Sequence, residues 1–236
     1  MKNNRYSPSI VRYYDAIMKA GYYNHRDIAL ILQKILKNRK KILELGVGTG
    51  LLAKELIKSG YAVSGIDFTK SMIERAEKRL TGRVKLFLQD VSLLDTKEKY
   101  DAAISEGGPW LFLRRGRSLN LQSHIKDFEK NISALKRVSD HLNKNGLLAL
   151  NIQPMHQNID GLIIGKKLEY SQRIKTQARW IEKEYIVKRW KKRVAYQKSI
   201  YRLFSKKEEM ELFHKGGFTS SHTDKSGSFM IFRKNK

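Results

Sequence analysis

Three glycines at alternate positions, Gly46, Gly48 and Gly50, follow the apolar run Ile42, Leu43 and Leu45. After them Leu51, Leu52, Ala53, Leu56 and Ile57 repeat with helical spacing. The pattern predicts a buried strand, a tight turn and a helix. Glycines in such a turn admit positive φ and let a ligand approach the main chain, and free N–H groups at the helix start can hold a polar or anionic group. Glu44 lies just inside the turn, and Asp67 and Asp90 are predicted to close the next two strands at the same edge. Ser105, Glu106, His124 and His156 follow, and the two histidines are candidates for taking up a proton from a substrate.

Some ligands and chemistries are excluded at once. A dinucleotide-binding turn needs a small residue where Leu51 stands, and a phosphate-binding P-loop needs Gly-Lys-Ser/Thr after its glycines. Neither pattern is present. The chain has no cysteine, which removes disulfides, thiolate metal sites and thiol nucleophiles. Its histidines, His25, His124, His141, His156, His214 and His222, include no pair at zinc-site spacing, so no metal is expected.

The run Glu44-Leu-Gly-Val-Gly-Thr-Gly50 resembles the first motif of the class I S-adenosylmethionine (AdoMet) methyltransferases. The resemblance extends over residues 24–153 and 205–233. It implies AdoMet as cofactor and S-adenosylhomocysteine as product. It also implies that Asp67 accepts from the ribose hydroxyls, that Asp90 reads the adenine amino group and that Glu44 fixes the turn. Gly46, Gly48, Gly50, Phe68, Met72, Val91 and Ser105 complete the implied cofactor set in the core. An aromatic-rich leader folds over the cofactor in small-molecule members, which points to Tyr14 and Tyr23 on the cofactor and Tyr22 on the substrate. Glu106, His124 and His156 are the catalytic candidates, and Trp110 and Tyr170 are further substrate candidates. Adenine-amino methyltransferases carry Asn/Asp-Pro-Pro-aromatic after the fourth strand. This chain has Glu106-Gly-Gly-Pro-Trp110, which argues against that acceptor. The missing cysteine excludes 5-methylcytosine formation.

The elements that must position these residues alternate. A short helix is expected around Ile10–Lys19, and a second over residues 25–37 behind the N-cap Asn24. Strands are expected at 42–45, 61–66, 84–88, 100–105 and 147–152. Ser71-x-x-Glu74 reads as a capping box, and a long helix is expected from Ile125 to Leu142, stopped by Asn145-Gly146. Such alternation predicts an α/β, Rossmann-like doubly wound sheet, with ligands beyond the carboxyl ends of the strands. After Pro154 the pattern changes to period two, and three antiparallel strands are expected at 167–175, 180–190 and 194–204. Ser205-x-x-Glu208 opens a last helix, and 218–223 with 229–232 supplies a closing pair with a reversed last strand. The expected organisation is a single domain: a lid at 1–23, an AdoMet-binding core at 24–153, a substrate-capping insertion at 154–204 and a return to the core at 205–236. Amino-sugar N,N-dimethyltransferases and glycine N-methyltransferases are similar in layout.

Composition sets the remaining bounds. At 236 residues and 41% hydrophobic residues the chain can bury a substantial core. No apolar run approaches the roughly 20 residues of a membrane span, and the first residues lack the apolar core of a signal peptide. A cytoplasmic protein without a membrane partner is expected. Forty-eight Lys and Arg against 23 Asp and Glu give a formal charge of +25. Between Lys166 and Lys207 stand fifteen basic and three acidic residues. AdoMet, itself a cation, does not account for this excess. Two acceptors follow: a small molecule methylated at nitrogen or oxygen, or an RNA held by the basic insertion. Whether the chain is a monomer or a homodimer is left open.

Overall fold

The computed structural model describes residues 4–21 and 24–235. Two helices lead. α1 (Pro8–Gly21) starts on proline, whose missing N–H costs nothing at a first helical position, and buries Ile10, Val11 and Ile17. α2 (His25–Leu36) is capped as expected, with the Asn24 side chain accepting from the Arg26 N–H. The α/β core follows as β1 (Lys41–Leu45), α3 (Leu51–Lys58), β2 (Ala62–Asp67), α4 (Lys70–Leu80), β3 (Lys85–Leu88), a 3-10 turn at Val91–Leu93 and β4 (Tyr100–Ser105). Then come β5 (Trp110–Arg115), β6 (Ser118–Ser123), α5 (Phe128–Asp140) and β7 (Leu142–Pro154). β8 (Ile159–Ile163), β9 (Leu168–Gln177), β10 (Trp180–Arg189) and β11 (Lys192–Leu203) form the insertion. α6 (Lys206–Lys215), β12 (Phe218–Thr223) and β13 (Phe229–Lys234) close the chain.

β3, β2, β1, β4 and β7 lie side by side and parallel, and β13 runs antiparallel to β7 with β12 beyond it. This is the doubly wound sheet with a reversed last strand. β7 has a second use. On one edge Leu147–Asn151 pair with β13 and the Ile152 N–H still donates to the Ser228 carbonyl; on the other, β7 pairs with β4 up to Leu150 and with β5 from Ile152 onward. From β5 the sheet continues through β6, β11, β10 and β9 to β8. The insertion is therefore hydrogen-bonded to the core rather than perched on it. Apolar clusters fill both faces of the parallel sheet, one around Leu43, Phe112 and Leu135 and one around Leu32, Ile42 and Leu56. A third, around Ile10, Ile17, Tyr170 and Val187, glues α1 to the insertion.

Three expectations need correction, and one hairpin goes beyond them. The insertion has four strands rather than three, because β8 pairs with β9 ahead of the strands read from the sequence. The Ser71 capping box is not made: α4 begins at Lys70 behind Thr69, and no side chain caps it. The long helix begins at Phe128 behind Asp127 and ends at Asp140, so Ile125 precedes it and Asn145, at φ 61, turns within the β7 region instead. Residues 110–123 form the β5–β6 hairpin, turning at Gly116 (φ 58).

That hairpin places Trp110 in the core, fully buried, not against a substrate. Its Nε1 donates to Asn131 Oδ1 (2.8 Å), which also accepts from Ser123 Oγ (2.7 Å). Asn131 Nδ2 donates to the carbonyls of Ile125 (3.0 Å) and Asp127 (2.5 Å), so one buried amide ties the hairpin to the start of α5. Asn131→Leu strands the indole N–H and should cost about 3 kcal/mol, roughly 6–12 °C in melting temperature. Denaturant and thermal unfolding check this; an unchanged transition contradicts it.

Candidate functional site

A cavity of about 230 Å³ lies beyond the carboxyl ends of β1 to β4. Its floor is Gly46, Gly48, Ile66 and Asp67. Phe68, Met72, Gln89, Asp90 and Val91 form one wall, and Gly107, Gly108, Pro109 and the segment His124–Asp127 form the other. Asn4, Tyr6 and Tyr14 from the leader roof it.

The glycine turn is shaped by close approach. Gly46, Gly48 and Gly50 have φ of 76°, 54° and 78°, all left-handed. A Cβ on Gly46 would stand 2.7 Å from the Gly108 Cα, and one on Gly108 would stand 2.0 Å from the Leu45 carbonyl oxygen. Gly50 is used differently: it abuts Leu80 and Ala76 under the turn and does not line the cavity. At the end of β2, Asp67 Oδ2 accepts from the Gly48 N–H (3.1 Å) and Oδ1 from the Thr69 N–H (2.8 Å). The Thr69 side chain and the Phe68 N–H also bear on this carboxylate, which lines the cavity. Burial pushes this carboxyl up to about 6, against the backbone N–H bonds that lower it.

Glu44 is buried at the end of β1, and its Oε2 has no hydrogen-bond partner among the described residues. Burial, then the charges of Glu106 and Asp67, raise its pKa well above the carboxylate range. Asp90 accepts at Oδ1 from the Ser92 N–H (2.9 Å) and hydroxyl (2.8 Å), and at Oδ2 from Lys130 Nζ (3.2 Å). Burial raises its carboxyl, but these bonds outweigh it and hold the group below its usual value.

His124 lies just after β6, not on the long helix, and reaches the cavity. Its ring meets Tyr201 edge-on at 4.6 Å, and its Nδ1 has no partner among the described residues. Burial, reinforced by the charge of Lys183, lowers it to about 4. His156 is set back from the cavity. Its Nε2 bonds Gln153 Oε1 (2.8 Å), its Nδ1 lies 3.5 Å from Lys183 Nζ, and burial lowers it to about 3. Burial likewise lowers Lys183 to about 7. Glu106 also stands behind the cavity wall, 3.9 Å from His25, with burial raising it to about 7.

Two further candidates are structural where they stand. Ser105 is fully buried and donates to the Trp110 carbonyl (2.7 Å), so it shapes the loop and does not face the cavity. Tyr170 is fully buried beneath α1, with its hydroxyl donating to Gln172 Oε1 (2.9 Å). Tyr22 and Tyr23 lie outside the described residues.

Sequence reasoning missed the residues that hold the roof. Asn4 donates to the carbonyls of His124 (3.3 Å) and Ile200 (2.6 Å) and accepts from the Ile200 N–H (3.0 Å). Asp15 of α1 accepts from Thr49 Oγ1 (2.6 Å), Arg75 (3.0 Å) and Arg79 (2.5 Å), and Arg79 also donates to the Thr49 carbonyl. These partners lie 30 to 196 residues apart in the chain, with no local signal in the sequence. Asp15→Ala should free α1, lowering amide protection over Pro8–Gly21 roughly tenfold, about 1.4 kcal/mol after allowance for partial exposure. Hydrogen exchange reads this; unchanged protection contradicts it.

Residues 42–146 match the family model described as a methyltransferase domain. A putative methyltransferase of Geobacillus sp. (strain WCH70) is 24% identical over 157 residues, covering 63% of this chain and 58% of that protein. The chain spans 25%, 58% and 32% of the length of three curated relatives it matches. The crystal structure of Streptomyces venezuelae DesVI is 16% identical with a TM-score of 0.71, over 98% of this chain and 100% of that one. CalS10, an amino pentose methyltransferase from Micromonospora echinaspora seen with AdoMet bound, is 16% identical with a TM-score of 0.71, over 100% of both chains. At this identity the likeness is one of fold, and it extends through the insertion.

Proposed function

We propose that this chain, class I methyltransferase in fold with its methyltransferase domain at residues 42–146, transfers the methyl group of AdoMet to nitrogen or oxygen of a small molecule. The observation that carries this reading is the roof. Asn4, bonded to Ile200 of the insertion and to the His124 carbonyl, ties the leader down over the cavity, which suits a small acceptor better than a polymer strand. The cavity's own cations support it too. Lys126 and Lys130 are the only basic residues among its described lining, and Lys130 is paired with Asp90, so the insertion's basic excess lies elsewhere. The full-length likeness to an amino pentose methyltransferase makes amino sugars the first acceptors to try.

The site suits the cofactor. Left-handed glycines remove side chains where the donor must approach, Asp67 presents a carboxylate to the cavity, and Glu44 carries an orphaned oxygen behind the turn. When bound, AdoMet supplies an activated methyl group on a sulfonium, so the protein's task is alignment and exclusion of water. In this reading Gly46, Gly48, Asp67, Phe68, Met72, Asp90, Val91 and Tyr14 hold the cofactor. Gly107–Pro109 and His124 face the acceptor. His124, kept neutral by burial, can accept at a ring nitrogen the proton an amine or hydroxyl acceptor must lose.

Calorimetry should detect both AdoMet and S-adenosylhomocysteine. Asp67→Ala removes hydrogen bonds to a charged acceptor and should weaken binding roughly 10- to 100-fold. Because burial raises Asp67 to about 6, the ionised acceptor is present above that pH and lost below it, so affinity should fall as pH drops through about 6. No binding by a folded sample ends the reading. With labelled AdoMet, methyl transfer to RNA but to none of the amino sugars or other small molecules would instead favour a polymer acceptor.

A further inference from the structure

The charge excess of the insertion is not used by the cavity, and it is not spread evenly. On the outer face of the insertion acids answer the cations: Lys198 pairs with Glu182 (2.7 Å), and Tyr196 donates to Glu184 (2.6 Å). At the far end of the sheet this balance stops. The β8–β9 turn carries Lys166 and Lys167, and the β10–β11 hairpin carries Lys188, Arg189, Lys191, Lys192 and Arg193. Among the described residues none of these seven is ion-paired with a carboxylate, although Glu169 lies in register with Lys188.

The hairpin tip is unusual in a second way. Arg189 pairs with Lys192, so Trp190 and Lys191 are the two central turn residues, and both are left-handed, at φ 48° and 64°. A turn of that hand normally takes Asn-Gly, and a bulky residue there is an outlier whose strain points toward function. The strained turn presents Trp190 at 72% exposure, with Lys167 from the neighbouring turn 5.4 Å over its ring. Ile163, 62% exposed, lies at the same end of the sheet, since Ile163 registers with Glu169 and Glu169 with Lys188. Two exposed apolar side chains are thus set, at one end of the sheet, among seven cations without a carboxylate partner among the described residues.

We propose that this tip is a peripheral docking surface for an anionic phospholipid bilayer. That no described helix is long and apolar enough to cross a membrane leaves such a surface contact open. An amphipathic indole belongs at the headgroup level, lysine and arginine stems lie along the apolar boundary with their charges outward, and clustered cations are drawn to acidic headgroups. A single strand of RNA fits less well: it needs a groove with successive stacking platforms, and the tip offers one tryptophan.

The full chain should co-sediment with phosphatidylglycerol-rich vesicles and not with pure phosphatidylcholine vesicles, and should release as salt shortens the screening length. Lys191→Gln with Lys192→Gln should weaken partitioning roughly thirtyfold, from about fivefold per cation removed. Trp190→Ser should weaken it several-fold and abolish a blue shift of tryptophan emission on vesicle addition. Both variants lie outside the cavity, so unchanged AdoMet binding verifies the fold and separates this test from the methyltransferase reading. Three results would overturn the proposal: no binding to anionic vesicles at low salt, binding indifferent to both variants, or displacement from vesicles by poly-uridine whose own binding falls with the same substitutions.

Discussion

Backbone touches backbone beneath the cavity. The turn after β1 and the loop after β4 approach so closely that neither Gly46 nor Gly108 has room for a Cβ. That contact fixes where the first turn stands relative to the loop bearing Gly107 and Pro109, and so fixes the cavity floor. It also fixes Asp67, because the N–H that holds its Oδ2 belongs to Gly48 in the same turn. A side chain at either glycine would part the turn from the loop and move the buried Asp67 carboxylate that lines the cavity.

The rest of the chain is arranged around keeping that floor enclosed. β7 does so by passing from β4 to β5 along one edge, which lets the insertion grow out of the core by hydrogen bonds. The insertion then meets α1 through the cluster of Ile10, Ile17, Tyr170 and Val187, and α1 is tied back to the glycine turn through Asp15, Thr49 and Arg79. Roof, floor and insertion thus form a closed loop of contacts. Burial inside it keeps His124 and His156 neutral and brings Lys183 and Glu106 near neutrality. Of these only His124 lines the cavity, and a neutral imidazole there suits proton transfer from an uncharged acceptor.

Much of this was legible in the residues. The run from Ile42 to Ile57 carries strand, turn and helix signals in immediate succession, and Asp67 and Asp90 close strands whose apolar content is plain. The second capping box was equally legible: Ser205 and Glu208 cap each other as the spacing predicts. The first failed because Asp67 itself takes the Thr69 N–H at the helix entry, a tertiary choice that local spacing does not encode. The β5–β6 hairpin was not read, although Gly116 sits between an apolar run and the alternation Leu119, Leu121. Trp110 and Tyr170 were misassigned because large aromatic residues suit a core and a ligand face equally, and only their buried surroundings separate the two. The roof contacts of Asn4 and Asp15 link segments far apart in sequence, and nothing local announces them.

A crystal structure with S-adenosylhomocysteine bound tests the central claim most directly. The account predicts the nucleoside over Gly46 and Gly48, with both ribose hydroxyls donating to the Asp67 carboxylate and the sulfur facing Gly107–Pro109 and His124. A nicotinamide dinucleotide or a nucleoside triphosphate co-purifying in that cavity, or Asp67 turned away from any sugar, would contradict it.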